Sequence, residues 1–181
     1  MLLTVSIKLL TTADQKEKLL RSMYRFNQAC NWISQYAFAN SMFNNVKLHK
    51  AIYYELREKF SLPAQFAIRA IGRVADSYKV DKKVEHHFNK KSSIEHDRNT
   101  LSWKKLDSIS ILSLDGRLRL PIQFGQYAKL TQRVIRNSAK LIYRGKQFYL
   151  QVAGEVPEAP VQPISDFLGV DLGIVNLATT S

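Results

Sequence analysis

The spacing of apolar residues changes twice along the chain, and these changes limit the fold more than any other feature. Residues 1–11 alternate apolar and polar side chains, which predicts a β-strand with one buried face. Residues 12–97 repeat apolar side chains every three or four positions, which predicts amphipathic helices. Alternation returns over residues 98–156. One strand, an inserted group of helices and a later group of strands together predict an α+β fold.

Three helices are expected within residues 12–97. Thr12 and Gln15 have the spacing of a capping box, so a long helix should begin after Thr12. A second helix is predicted over residues 47–60, where apolar side chains recur at every fourth position. A third is predicted over residues 63–88, and its first residue is a proline, which suits a first helical turn.

The third predicted helix carries a polar row beside its apolar stripe. Gln65, Arg69 and Arg73 follow one another at four-residue spacing and therefore share one face. Later lysines extend this basic side, namely Lys79, Lys82, Lys83, Lys90 and Lys91. A solvated basic face explains the pattern without a ligand, whereas a phosphate backbone would match its length. Glutamine and arginine can bond two groups on a base edge, and tyrosine can stack or donate. The candidate DNA contacts are Tyr54, Gln65, Arg69 and Arg73.

Residues 98–156 predict a small β-barrel or a curled sheet. Asp115 and Gly116 mark one hairpin turn, and residues 144–146 mark another. Basic residues are frequent in this region, and their side chains suit phosphate groups or the shape of an RNA helix. The candidate phosphate or RNA contacts are Lys104, Lys105, Arg117, Arg119, Arg133, Arg136, Lys140, Arg144 and Lys146.

The basic part of the chain ends before a proline-rich linker. The run PEAPVQP, within residues 157–165, places proline at every third position and favours an extended backbone. Of the 181 residues, 27 are Lys or Arg and 15 are Asp or Glu, which gives a net charge of +12. All of the basic residues lie within residues 1–150, so a polyanionic partner is expected for that part.

Several classes of protein are excluded. Cys30 is the only cysteine, so neither an intrachain disulfide nor a Cys-x-x-Cys metal site can form, and a reducing cytoplasm is expected. The uncharged run over residues 26–46 holds many amide and hydroxyl groups that lipid would leave without hydrogen bonds, so no membrane partner is expected. The four histidines are expected to be solvated rather than bound to a metal.

A single carboxylate stands within an apolar strand after the linker. The segment GVDLGIVNLATTS contains Asp171, and on the residues alone a partnered structural carboxylate, a metal ligand and a loop position all remain open. The segment resembles the first catalytic segment of the RuvC-type, RNase H-fold nuclease domain in the TnpB (OrfB) proteins of insertion sequences, which are relatives of type V CRISPR effectors. The first strand, the helical stretch LPAQFAIRAIGRVADSYK and the turn DGRLRLP also resemble that family, in the same order along the chain.

The resemblance implies a fold and an activity. Residues 1–11 and 98–156 would form a wedge-type β-barrel, residues 12–97 an inserted helical recognition lobe, and residues 166–181 the incomplete start of a RuvC-like domain. The family are RNA-guided DNA endonucleases, in which a guide RNA pairs with the target and the protein reads a short motif beside it. Asp171 would be the first of three carboxylates that hold two Mg²⁺ ions. A prokaryotic, nucleoid-associated location in the cytoplasm follows from the same resemblance.

The chain departs from the family pattern near its end. It ends ten residues after Asp171, without the later Glu and Asp of the triad and without the zinc-binding cysteines of the family. We therefore expect this chain alone to bind guide RNA and motif-containing duplex DNA without cleaving DNA and without a cofactor of its own. A non-catalytic regulatory DNA- or RNA-binding protein and a general basic RNA-binding protein are the alternatives. The sequence leaves open the DNA motif, the guide and the oligomeric state.

Overall fold

A computed structural model describes residues 2–104, 107–125, 138–155, 170–171 and 179–180. Within these residues the chain is α+β, as predicted, with three helices and nine strands. The helices are α1 (Ala13–Ala39), α2 (Asn45–Phe60) and α3 (Ala64–Val80). The strands are β1 (Leu2–Leu9), β2 (Ile94–His96), β3 (Leu101–Lys104), β4 (Ser108–Ser113), β5 (Gly116–Gln123), β6 (Ala139–Arg144), β7 (Gln147–Glu155), β8 (Val170–Asp171) and β9 (Thr179–Thr180).

The first two helices begin at side-chain caps. The capping box is confirmed, because the Gln15 amide donates to Thr12 Oγ1 over 3.2 Å and the Thr12 amide donates to Gln15 Oε1 over 3.1 Å. Asn44 caps α2 by accepting from the amides of Val46 and Lys47. This cap sets the start of α2 two residues before the predicted one.

Helix α3 is shorter than predicted, since it ends at Val80 rather than at residue 88. Asp81 has an extended backbone, and its Oδ1 accepts from the Lys83 amide over 2.8 Å. This local turn competes with helical hydrogen bonding. Further along, the Asn31 side chain of α1 binds both the amide and the carbonyl of Phe88, over 2.7 and 2.9 Å. The lysines after Asp81 therefore do not continue the basic face of α3, and that prediction was wrong.

The three helices pack through one apolar core. Phe26 of α1 meets Phe66 of α3 edge to face with 5.8 Å between ring centroids, and Ser34 Oγ lies 2.9 Å from the Tyr78 hydroxyl. Because these two contacts follow the same order along both helices, α1 and α3 run parallel. Helix α2 packs against both through Leu48, Ile52 and Leu56, which are fully buried.

Strands β1 to β7 form one antiparallel sheet in the order β2-β6-β7-β1-β5-β4-β3. The two edge strands, β2 and β3, are consecutive in the chain and are joined by residues 97–100, so the sheet curls into a nearly closed barrel. The predicted barrel or curled sheet is confirmed. Strand β1 lies in the middle of the sheet between β7 and β5, with Ile7 and Leu9 buried. Strand β1 therefore precedes the inserted helices, and two of the strands that follow the helices pair with it, one on each side.

Both predicted hairpin turns are present. Gly116 begins β5 with a φ of 96°, a backbone conformation that favours glycine. Gly145 and Lys146 join β6 to β7 with φ values of 57° and 60°, as in the tight turns that match the twist of antiparallel strands.

The last described strands form a separate ladder. Val170 of β8 pairs with Thr180 of β9, and Asp171 pairs with Thr179. The predicted linker over residues 157–165 lies outside the described residues. Within the part of the chain that the structure describes, no helix combines the length and apolar character needed to cross a bilayer.

Candidate nucleic-acid interface

A cleft of about 620 Å³ separates helix α3 from the β2 edge of the barrel. Helix α3 lines one side with Gln65, Ile68, Arg69, Gly72, Arg73 and Asp76. The other side is formed by Ser93, Glu95, Asp97, Asn99 and Lys140. The predicted polar row of α3 therefore faces a groove, rather than bulk solvent on an open helix.

Arg69 crosses the cleft to an ion pair with Asp97. Its Nη2 lies 2.7 Å and its Nε 3.1 Å from Asp97 Oδ2, and both side chains are partly buried. The other carboxylate oxygen, Oδ1, accepts from the amides of Asn99 and Thr100, over 2.9 and 3.1 Å. Burial alone raises the pKa of Asp97, but Arg69 and these amides outweigh it and hold the pKa below its usual value. Asp97 thereby joins α3 to the turn that closes the barrel.

Arg73 holds the segment that leads from the helices into the barrel. Its Nη1 donates to the Ser93 carbonyl, and its guanidinium lies 5.1 Å from the centroid of the Phe88 ring. Arg69 and Arg73 thus already have protein partners. A ligand in the cleft would meet arginines whose positions are fixed by these partners.

The cleft carries charges of both signs. Lys140 of β6 lies directly opposite Glu95 of β2 in the sheet, and both side chains are exposed. Asp76 pairs with Lys79 over 2.6 Å on the surface of α3. The basic side chains would attract an anionic ligand and the carboxylates would repel it. Charges of both signs would therefore fix the position of the ligand in the cleft.

Three of the four predicted DNA contacts come together in this cleft, and the fourth does not. Gln65, Arg69 and Arg73 line it. Tyr54 has 82% of its surface exposed and lies on the side of α2 away from its buried stripe. Its ring meets the Tyr53 ring edge to face at 5.2 Å. Tyr54 does not line the cleft.

The predicted phosphate or RNA contacts lie on three surfaces. Lys140 lines the cleft. Lys104, Arg117 and Arg119 are exposed on the β3–β5 part of the barrel, whereas Arg144 and Lys146 are exposed at the β6–β7 turn. Lys105, Arg133 and Arg136 lie outside the described residues.

Arg117 has a structural role that its position in the sequence does not reveal. Its guanidinium donates to Ser110 Oγ over 2.9 Å, to the Asn99 carbonyl over 3.1 Å and to Ser102 Oγ over 3.2 Å. These partners lie on β3, on β4 and on the turn before β3, so Arg117 crosslinks that side of the barrel. Arg119 is exposed on the same face of β5, and its side chain is the better candidate for an external phosphate.

Sequence reasoning missed His96, which is not solvated. Its side chain is fully buried beside Phe66 of α3, with ring centroids 5.9 Å apart, and neither ring nitrogen has a partner within the described residues. Burial lowers the pKa of His96 to about 4, although the Asp97 carboxylate opposes this shift. The available signal was the alternation Ile94-Glu95-His96, which places His96 on the same strand face as Ile94.

The described residues give no arrangement for the Mg²⁺ ions that the resemblance implies. Asp171 lies on β8, whose partner strand β9 consists of two threonines. Among the residues that the structure describes, no group of three His, Cys, Asp or Glu side chains is placed to hold a metal ion. The role of Asp171 in metal binding stays a prediction.

Comparison of this chain with protein-family models and with curated proteins gives no match.

Proposed function

We propose that this chain is the nucleic-acid-binding portion of a TnpB-like, RNA-guided DNA endonuclease, and that the cleft beside α3 contacts the DNA motif next to the target. The observation that carries the proposal is the convergence of Gln65, Arg69 and Arg73 in one cleft between the helices and the barrel. A glutamine and two arginines on one helix face are suited to hydrogen bonding with base edges.

The ion pair of Arg69 supports a role in recognition. Arg69 uses Nε and Nη2 for one oxygen of Asp97, which leaves its Nη1 group outside the ion pair. A guanidinium held on one side loses less conformational entropy when a ligand binds its other side. Lys140 on the opposite wall would contact a phosphate and fix the register of the duplex.

The barrel would bind the guide RNA. Arg119 on β5 and Arg144 and Lys146 at the β6–β7 turn are exposed basic groups on paired strands or on a tight turn. Such groups recognise an RNA helix by its phosphates and its shape. In a complete RuvC-like domain, Mg²⁺ would activate water for phosphodiester hydrolysis, and Asp171 would be one of its ligands. One carboxylate cannot hold two ions, so the proposal for these 181 residues is binding.

The proposal is tested by selection from duplex DNA with a randomised central segment, followed by sequencing of the bound fraction. The expected result is enrichment of one short motif, which binds more tightly than the starting pool. The double variant Arg69→Ala/Arg73→Ala should weaken binding by at least about tenfold, because two base or phosphate contacts are lost. A salt titration separates these two kinds of contact, since only lost phosphate contacts reduce the salt dependence.

A matched control removes two charges outside the cleft. Lys82 and Lys83 are exposed and do not line it, so Lys82→Ala/Lys83→Ala should leave the preference for the motif intact. Thermal melting of both double variants shows whether either has lost its fold. Absence of motif enrichment in the parent chain, or equal binding by the folded Arg69→Ala/Arg73→Ala variant, would contradict the proposal.

A further inference from the structure

A glycine occupies the middle of helix α3 on the wall of the cleft. Gly72 lies between Arg69 and Arg73 in the sequence and lines the same groove. Glycine within a helix is less stable than alanine at the same position, because glycine loses more backbone freedom on folding. A residue that weakens the helix at this point calls for a physical reason.

The part of the chain that the structure describes gives no packing reason for glycine at this position. A Cβ atom built on Gly72 would have no neighbouring atom of the described residues within 4 Å, so none of these residues requires the space. Its backbone is helical and does not have the positive φ that favours glycine at Gly116 and Gly145. The lack of a side chain at position 72 therefore benefits neither the packing of the described residues nor the backbone conformation.

We infer that Gly72 is the point of closest approach between α3 and a nucleic-acid strand, whose sugar-phosphate backbone lies against the helix there. This inference rests on the proposed function and adds where the strand lies. Glycine is favoured where a backbone must come close to a ligand. Arg69, three residues earlier, and Arg73, the next residue, would place donors on both sides of the gap.

The groups around Gly72 fit a sugar-phosphate strand. Ile68 lies one turn before Gly72 on the cleft, and 40% of its surface is exposed, so it offers an apolar contact to a sugar ring. Lys140 and Asn99 line the cleft on the barrel side, where they can donate to phosphate oxygens. The carboxylates of Asp76 and Glu95 also line the cleft, so the phosphates of the strand would lie beside the basic groups and away from these carboxylates. Apolar contact beside Gly72 and donors around it match the alternation of sugar and phosphate along a strand.

The test uses the full chain with the duplex pool described above and, after selection, with the enriched duplex. Gly72→Ala should raise the melting temperature, because alanine is the better helix former and its Cβ contacts no atom among the described residues. The same variant should bind the duplex severalfold more weakly than the parent chain. Gly72→Leu should weaken binding by at least about tenfold, because its side chain would occupy the space of the strand.

The matched control is Ala51→Leu, since Ala51 is exposed on α2 and does not line the cleft. This control should bind the duplex as the parent chain does. If the parent chain binds and folded Gly72→Ala and Gly72→Leu bind equally well, the inference is wrong and the proposed function stands. If the parent chain binds no nucleic acid, both are wrong. A more stable Gly72→Ala variant with weaker binding supports the inference, because a purely structural role would not separate the two effects.

Discussion

His96 links the stability of the fold to pH through one buried ring. Its folded-state pKa of about 4 lies below the ordinary histidine value of 6.5. Between these values the unfolded chain binds a proton that the folded chain excludes, so acid favours unfolding. His96 therefore imposes no proton-linked cost on folding above pH 6.5, and this cost grows as the pH falls towards 4. We expect the free energy of unfolding, measured with urea, to fall over this interval.

Replacement of His96 separates this effect from general acid denaturation. His96→Leu removes two buried nitrogens without partners among the described residues, and such unsatisfied groups cost about 1–3 kcal/mol. The variant should be at least as stable as the parent chain at neutral pH and should lose less stability between pH 6.5 and 4. His87 is exposed, so His87→Leu serves as the control and should keep the parent profile. An unchanged slope in His96→Leu would show that another group is responsible.

At the scale of elements, the β2–β3 turn depends on both oxygens of the Asp97 carboxylate. Oδ1 accepts hydrogen bonds within residues 97–100, whereas Oδ2 binds Arg69 of α3. Asp97→Asn keeps an oxygen for the turn and loses the charge, while Asp97→Ala loses both. We expect urea unfolding to show a loss of about 1–3 kcal/mol for Asp97→Ala and a smaller loss for Asp97→Asn.

The same pair of variants tests the electrostatics of the cleft. Asp97→Asn removes the ion pair that holds Arg69 in place, so the folded variant should bind the selected duplex more weakly than the parent chain, although it also removes a negative charge. Because the pKa of Asp97 is lowered in the fold, its stabilising effect is present above the ordinary aspartate pKa and is lost as the pH falls further. Equal stability of Asp97→Ala and the parent chain would mean that the turn does not need this carboxylate.

The sequence predicted the helices and strands better than it predicted which residues contact one another. The Thr12–Gln15 cap and the four-residue spacing of Gln65, Arg69 and Arg73 are local patterns, and the structure has both. The end of α3 was missed because the residues after Val80 are compatible with a helix, and a contact from Asn31 of α1 holds them elsewhere. Local spacing does not contain that tertiary contact.

The candidate site shows the same difference: patterns between residues close in the sequence were predicted, and contacts between distant residues were not. Asp97 lies 28 residues after Arg69, and tertiary contacts bring the β2–β3 turn to α3. The D-x-x-T spacing of Asp97 and Thr100 indicates a turn, but not the ion pair across the cleft. Tyr54 was grouped with the cleft residues because of its chemistry, although it faces away from the packed side of α2.

At the scale of the whole molecule, the helices and the barrel are joined by contacts on several sides. Asn27 of α1 donates to the Ser92 carbonyl over 2.9 Å, and Ser22 Oγ accepts from the Leu114 amide over 3.0 Å. Arg21 also pairs with Asp115 at the β4–β5 turn. Together with the Arg69–Asp97 pair, these contacts make the walls of the cleft parts of one packed unit.

The two tryptophans allow this unity to be measured, because Trp32 lies on α1 and Trp103 lies on β3. Trp103→Phe leaves a fluorescence probe in the helices, and Trp32→Phe leaves one in the barrel. If the two parts form one cooperative unit, each variant should show a single urea transition in which fluorescence and circular dichroism coincide. Duplex DNA bound between the two walls should raise the midpoints of both variants, since a ligand of the folded state stabilises the whole unit. Fluorescence and circular dichroism transitions that separate within either variant would instead mean that the helices and the barrel unfold independently, and that the cleft is not held in one shape before a ligand binds.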